Sequence, residues 1–373
     1  MSVHSTTERI MVAIEMSNKK WRLAFSTSGD RKIRQKSIQA RNRTAFMSEL
    51  ALAKEKLGVS PEATATSCYE AGRDGFWAQR WLEAQGVECL VLDPASIEVN
   101  RRKRRAKTDR LDAQSLMRLL RRYLAGDEDV FSVVRVPSPE DEDALRLHRE
   151  LERLKKERTA HTTRIKSLLV LHGIYLKGSI SGLADDLDNL RQWDGSSLPS
   201  AVKAEIMREL ARLAQTETQI KTLKKQKEQA VENPATKAQK QTRELLRLKG
   251  VGEVSAWSLA HEFFGWRDFK NRREVGSLSG LVPTPYDSGG SRVEQGISKA
   301  GNRRVRRIMI ELAWSWVRFQ PDSELTKWFE RRFAHGSKRM RRIGIVALAR
   351  KLLIALWKYL EKEEIPAGAV LQS

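Results

Sequence analysis

Five cations in a row, Arg101, Arg102, Lys103, Arg104 and Arg105, run into a segment in which Lys107 leads to two carboxylates, Asp109 and Asp112. The acids sit three residues apart at the start of a helix predicted from Thr108, a spacing that puts both on one helical face. Leu116, Leu119, Leu120 and Tyr123 continue that face at helical intervals, so the aspartates head the stripe that packs inward. Bare negative charges are costly there. A bound cation relieves the cost, and the basic run beside it points to the cation's target, a phosphate backbone.

Two further acids share this character. Glu15 interrupts the apolar strand Ile10-Met-Val-Ala-Ile-Glu-Met16, and Glu70 ends another just before Ala71-Gly72. If the first and fourth strands are neighbours, the glutamates converge, and the helix after the fifth strand brings in Asp109 and Asp112. Four carboxylates at one place cannot all stay ionised without a cation. Oxygen-only ligation selects Mg²⁺ or Mn²⁺ over zinc, and two such ions suit phosphoryl transfer by holding the attacking and leaving oxygens in line. Taken singly, each acid also reads as a partly solvated end of a helix or strand.

The elements that would position these acids follow in order. Strands are predicted over 10–16, 20–26 and 32–38, a helix over 44–57, a strand over 65–70, a helix over 76–85, a strand over 88–92 and the helix from Thr108. Three strands, helix, strand, helix, strand, helix is the order of the ribonuclease-H-like fold, an analogy at fold level. The fold class is therefore α/β plus α. An N-terminal domain spans 1–137, a long coiled-coil-like helical arm 138–241, and a mainly helical C-terminal domain 242–373. Residues 140–172 and 200–232 form two long helices, an antiparallel pair that turns within 177–200 and ends or kinks at Asn233-Pro234.

In the last domain, Leu245-Leu-Arg-Leu-Lys-Gly-Val-Gly252 opens a helix over 254–263 in the helix-hairpin-helix pattern. Gly250 and Gly252 there let backbone amides approach a phosphate at a helix start. A dinucleotide site would need a βαβ unit that the pattern lacks. Gly280 to Ser291 reads as a loop with two prolines and three glycines. Ile297-Ser-Lys-Ala-Gly-Asn302 leads into a basic helix with Arg303, Arg304, Arg306 and Arg307, and a Trp-containing helical stretch covers 323–361.

Composition narrows the partners. The 373 residues hold 69 Lys and Arg against 47 Asp and Glu, a formal charge of +22 spread along the chain, which suits nucleic acid. No apolar run of about 18 residues and no signal-peptide pattern occur, so a cytosolic location is expected. Cys68 and Cys89 have no CxxC spacing and read as reduced core residues. The six histidines show no zinc-ligand spacing.

Together these segments resemble the transposases of the insertion-sequence one-ten family. The shared residues are the first-strand acid Glu15, Tyr69-Glu70-Ala-Gly72, Asp93-Pro94, Lys107-Thr-Asp-Arg-Leu-Asp112, Leu248-Lys-Gly-Val-Gly252, Gly280-Leu-Val-Pro283, Ser288-Gly289 and Ile297-Ser-Lys-Ala-Gly-Asn302. The family's first acid is usually Asp, where this chain has Glu15. The resemblance implies a RuvC-like DEDD domain, a C-terminal transposase domain with a catalytic serine, and a prokaryotic recombinase that excises and inserts its element. It also implies donor and target DNA, a structured bridge RNA that pairs with both, and a homodimer or tetramer. Ser288 would attack the phosphodiester and form a transient phosphoserine link. Ser279 and Ser291 are rivals on spacing alone. A serine hydroxyl is a weak nucleophile that needs a base or metal, and no histidine lies near Ser288 in sequence, so the carboxylates must reach it by folding, within one protomer or across two. Lys299, Asn302 and Arg303 would contact phosphate or RNA. The alternatives are a metal-dependent endonuclease that cuts by water attack and a non-catalytic DNA-architectural protein.

Overall fold

The computed structural model describes residues 9–28, 32–94, 96–97, 109–288 and 291–372; side chains at 109–110, 286–288 and 291–294 lie outside that description. The chain divides into two compact units, Met1–Val136 and Pro137–Ser373.

The first unit is built on β1 (Arg9–Met16), β2 (Lys20–Thr27), β3 (Arg34–Gln39), α1 (Arg43–Lys56), β4 (Thr64–Glu70), α2 (Trp77–Ala84), β5 (Val87–Leu92) and α3 (Asp109–Leu124). Its five strands lie in the order β3-β2-β1-β4-β5. The β1–β2–β3 meander is antiparallel, whereas β4 joins β1 in parallel and β5 joins β4 in parallel. The expected adjacency of the first and fourth strands is present. Because β1 is central it is apolar on both faces, and strand alternation sorts its side chains between two cores. Ile10, Val12 and Ile14 pack with Trp21, Phe25, Phe46 and Leu82 on one side. Met11 and Ala13 pack with Ala24, Cys68 and, from α3, Ala113, Leu116, Met117 and Leu120 on the other. The predicted inward stripe of α3 is that second contact. Cys68 and Cys89 are free and buried, and burial pushes the Cys89 thiol up to about 12, which keeps it protonated and inert. After α3 the chain returns along β5, where Val134 N donates to Val91 O at 2.7 Å and covers an otherwise open edge.

The second unit opens with α4 (Pro139–Ala144), α5 (Arg146–Val170), α6 (Leu183–Asp186) and α7 (Ser200–Glu232). Helices α5 and α7 are antiparallel: Leu151 and Leu154 meet Ile220, while Ile165 and Leu169 meet Ile206 and Leu213. Proline cannot continue a helix, and α7 stops at Glu232 before Asn233-Pro234, as expected. Within the second of these patches, between Ile206 and Leu213 on α7, lies Glu209, 3% exposed. Its carboxylate takes His161 Nδ1 at 2.6 Å and Arg164 at 2.8 Å from α5, and Arg212 at 2.5 Å from its own helix.

There follow α8 (Lys237–Leu246), α9 (Glu253–Leu259), α10 (Arg272–Ser279), β6 (Pro283–Ser288), β7 (Ser291–Ile297), α11 (Arg303–Phe319), α12 (Glu324–Phe329) and α13 (Lys338–Lys362). Helices α9 and α12 each run on into a π turn, Ala260–Phe264 and Glu330–Ala334. Leu245, Leu259, Phe263, Ile308, Trp316 and Leu352 anchor their common core. One expectation is corrected here: Gly280 to Ser291 is no irregular loop, since 283–288 and 291–297 pair as an antiparallel ribbon. A two-stranded ribbon is all edge, so Pro283 and Pro285 each tolerate a missing N–H, and the register shifts between them. The arm is joined to this core by polar contacts. His148 Nε2 lies 2.8 Å from Ser258 Oγ, Arg149 forks onto Glu262 at 3.2 and 3.1 Å, and Lys227, 1% exposed, reaches Glu253 at 2.9 Å. Burial, then the charge of Lys227, lowers His148 to about 4, so its ring is neutral at physiological pH. Among the described residues no helix is long and apolar enough to cross a membrane.

Glu209→Ala is expected to lower unfolding stability by about 1–3 kcal/mol, below the range for breaking a fully buried pair because Arg164 and Arg212 can turn to solvent. Burial opposes ionisation of Glu209, but hydrogen bonds from His161, Arg164 and Arg212 outweigh it and hold the carboxyl below the usual range. A depressed folded pKa means that the stabilisation is complete at neutral pH and drains away on acidification through the carboxylate range. Chemical denaturation across that interval should show a smaller acid loss for Glu209→Gln than for the parent.

Candidate active site and nucleic-acid contacts

Parallel pairing of β1 with β4 places Ile14 opposite Tyr69 at the carboxyl ends of both strands, and Glu15 and Glu70 are the next residues along. Alternation sends both toward the α3 side of the sheet: Glu15 shares a face with Met11 and Ala13, and Glu70 with Cys68. Both line one cleft of about 290 Å³ with Tyr69, Gly72, Arg73 and Asp74.

Helix α3 runs back over that face. Arg121, near its end, donates to Ser26 Oγ, and Ser26 is the β2 partner of Met11. From Arg121 back to Asp112 a helix rises roughly 13 Å, and from Met11 to Glu15 a strand advances about the same distance. The half-buried Asp112 therefore stands at the level of Glu15. Backbone spacing puts Asp109 one turn beyond it, with its side chain outside the described set. Among the described residues, no group of three or more His, Cys, Asp and Glu side chains converges to hold a metal ion. Arg101, Arg102, Lys103, Arg104, Arg105 and Lys107 also lie outside the described residues.

Arg73 and Asp74 are cleft residues that periodicity did not single out. They belong to the turn after β4, and the local signal was the Ala71-Gly-Arg-Asp-Gly75 sequence, in which two charges are enclosed by glycines.

In the second unit Ser288 ends β6 opposite Ser291 in β7. Its rival Ser279 is fully buried and donates to Gly276 O at 2.7 Å, which removes it as a nucleophile. The hairpin stands on a clasp made by the two flanking motifs. Ser298 N donates to Val282 O at 2.9 Å, Lys299 N to Gly280 O at 3.2 Å and Asn302 N to Leu278 O at 2.9 Å. The backbones approach so closely that a Cβ on Gly280 would collide with Ala300 O, and one on Gly301 with Leu278 O; both glycines also have positive φ. Lys299 itself sits at φ 56, and Asn302 Oδ1 caps α11 by accepting from Arg304 N and Val305 N at 3.0 and 3.2 Å. Arg303 is exposed at that helix start, whereas Arg304 turns to Glu152 at 2.6 Å.

Arg247–Gly252 joins α8 to α9. Gly250 has φ 87, and a side chain there would press on Phe319; Gly252 precedes α9 with open space around its Cα. The turn's carbonyls are held from α11 and beyond, with Ser315 Oγ donating to Gly250 O at 2.7 Å and Gln320 to Lys249 O at 2.8 Å.

Residues 242–327, which contain this turn, the clasp and the hairpin, match the family described as "Transposase IS116/IS110/IS902 family". Over 385 aligned residues, covering 98% of this chain and 95% of the relative, the chain is 39% identical to "Putative transposase y4rJ" of Sinorhizobium fredii. The chain belongs to this transposase family. It is also 31% identical to y4qE of the same organism over 68% of this chain and 59% of that protein. With the transposase for insertion sequence element IS1111A of Coxiella burnetii it shares 24% over 79% of this chain and 76% of that one. The family match in this transposase thus includes both legs of the clasp.

Gly301→Ala should destabilise the second unit by about 3 kcal/mol or more, since a strained φ is joined by a clash with backbone, while Asn302→Ala should lose about 1 kcal/mol as a missing cap. Urea unfolding of both variants checks the order; equal small losses would refute the clasp.

Proposed function

We propose that this transposase excises and inserts a DNA element by serine attack on a phosphodiester, assisted by divalent cations at a carboxylate cleft of ribonuclease-H-like, RuvC-like character. The observation that carries the chemistry is the pair Glu15 and Glu70, set side by side by parallel strands in one cleft. With Asp112 at the same level and Asp109 one turn away, these acids would have to draw together around the ion to hold it, and their oxygen-only chemistry is the kind that Mg²⁺ or Mn²⁺ takes. When bound, such a cation neutralises phosphoryl oxygens and favours the alkoxide over the alcohol. Glu15, one methylene longer than the aspartate usual in the family, reaches further from its strand to do the same work.

Ser288 is the nucleophile in this reading. Its Oγ–H bond breaks, an Oγ–phosphorus bond forms, the phosphorus–oxygen bond to the departing strand breaks, and a proton returns to the leaving oxygen. The proton from Oγ–H needs an acceptor and the weak hydroxyl needs a base or metal; in the family resemblance the carboxylate site supplies the metal that activates or orients the serine. Reversal by a new strand end regenerates the serine. The clasp supports this role by holding the hairpin from both ends, since a nucleophile displaced by an ångström loses much of its rate.

The basic helix start with Arg303 and Lys299, and the helix-hairpin-helix reading of 245–252, supply phosphate contacts without base-reading side chains. That pattern suits guidance by a bridge RNA, in which pairing reads sequence and protein grips backbone. DNA is the substrate, RNA the guide, and a homodimer or tetramer supplies the several cuts that transposition requires.

Ser288→Ala should abolish a covalent protein–DNA adduct on denaturing gels, and Glu70→Gln or Asp112→Asn should slow cleavage roughly 10²-fold or more while DNA binding persists. Continued cutting by Ser288→Ala would establish water attack and an endonuclease. A parent protein that binds DNA but neither cuts it nor forms the adduct would be an architectural protein, and loss of cutting in the carboxylate variants excludes that case. Purified protein that inserts its element without RNA from the element's flanks would exclude guidance.

A further inference from the structure

Arg73 and Asp74, which line the Glu15–Glu70 cleft, belong to a second constellation that continues outward from it. Asn18, in the turn after β1, Arg41, between β3 and α1, and Arg73 and Asp74, after β4, form a closed ring. Arg41 Nη2 donates to Asp74 Oδ1 at 2.6 Å, Arg41 Nη1 donates to Asn18 O at 3.4 Å, Arg73 Nη2 donates to Asn18 Oδ1, and Arg73 lies 3.6 Å from the second Asp74 oxygen. Arg41 keeps a left-handed backbone, φ 64, uncommon outside glycine. Two guanidiniums thus share one carboxylate, so the ring by itself carries a net positive charge beside the two acids Glu15 and Glu70. The side chain of Asp74 is 15% exposed while those of Arg73 and Arg41 remain 62% and 46% exposed. The acid is the inner anchor and the cations face water.

We propose that Arg73 and Arg41, positioned by Asp74, grip the phosphodiester backbone of the strand that enters the carboxylate cleft. The inference rests on the metal-dependent reading of that cleft. A polyanion approaching Glu15 and Glu70 meets repulsion unless cations are fixed at the rim, and guanidinium forks match the paired oxygens of a phosphodiester. Tethering Arg73 through both Asn18 and Asp74 fixes the fork before the strand arrives and so reduces the entropy lost on binding. Arg73 and Arg41 act as binding residues and Asp74 as a positioning residue; the chemistry stays with the carboxylates and the serine.

The test uses the full-length protein with a random-sequence DNA duplex and, separately, a single-stranded RNA, titrated at stepped salt concentrations. Arg73→Ala should weaken binding about 5- to 10-fold and make the slope of log affinity against log salt shallower by about one. A slope change with either nucleic acid supports the grip and tells which strand it holds. Asp74→Asn adds positive charge, so its affinity should hold or rise while single-turnover cleavage falls, a split that general electrostatics would not produce. Arg73→Gln, which can still bond Asn18, serves if Arg73→Ala lowers the melting temperature. Unchanged affinity and slope in well-folded Arg73→Ala or Arg73→Gln overturns the proposal. Glu70→Gln run in parallel keeps the two readings apart: if it cleaves like the parent, the metal-dependent reading fails while the salt slopes still report on the rim.

Discussion

Parallel hydrogen bonding between β1 and β4 is the constraint on which the first unit depends. Register decides which face each side chain takes, and a slip of one residue would turn Glu15 away from Glu70. The pairing is specified from both sides of the sheet. Ile10, Val12 and Ile14 are claimed by one core and Met11 and Ala13 by the other, so neither face can move without exposing the opposite set. Two carboxylates are thereby held side by side by the apolar packing of their strand neighbours. The strand end is where packing stops and the cleft begins, which is why charge is tolerated there.

The second unit fixes its parts by a different means. Backbone approach that only glycine permits ties the hairpin to the start of α11. Paired charges tie the arm to the core: Arg149 and Arg304 both reach Glu262, and Arg304 and Arg307 both reach Glu152. In a chain with a charge of +22 these acids have a local task. They draw arginines of the basic helix into structure and leave Arg303 exposed.

Much of this was legible in the sequence for a simple reason. Glu15 and Glu70 break apolar strands, and such a break in a buried element is conspicuous; Asp112 is marked by its place at the head of the α3 stripe. The Asn233-Pro234 stop and the burial of both cysteines follow equally local rules. The hairpin was hidden because prolines and glycines read as turn formers, and two short strands offer little apolar alternation to betray them. Hidden also were contacts between residues far apart in the chain: Arg41 with Asp74, His148 with Ser258 and Arg304 with Glu152. Arg304 reads in sequence as one more cation of a basic helix, and only folding shows that its charge is already answered.

The joint at the foot of α7 has a mechanical meaning. Thirty-three residues make a shaft of about 50 Å, so a tilt of about 5° at Lys227 would carry the far end through roughly 4 Å. Apolar contacts tolerate sliding, but directional bonds such as Lys227 to Glu253 and His148 to Ser258 do not. The long helix is aimed from its foot by a few polar atoms, much as a crane's jib is aimed from its turntable.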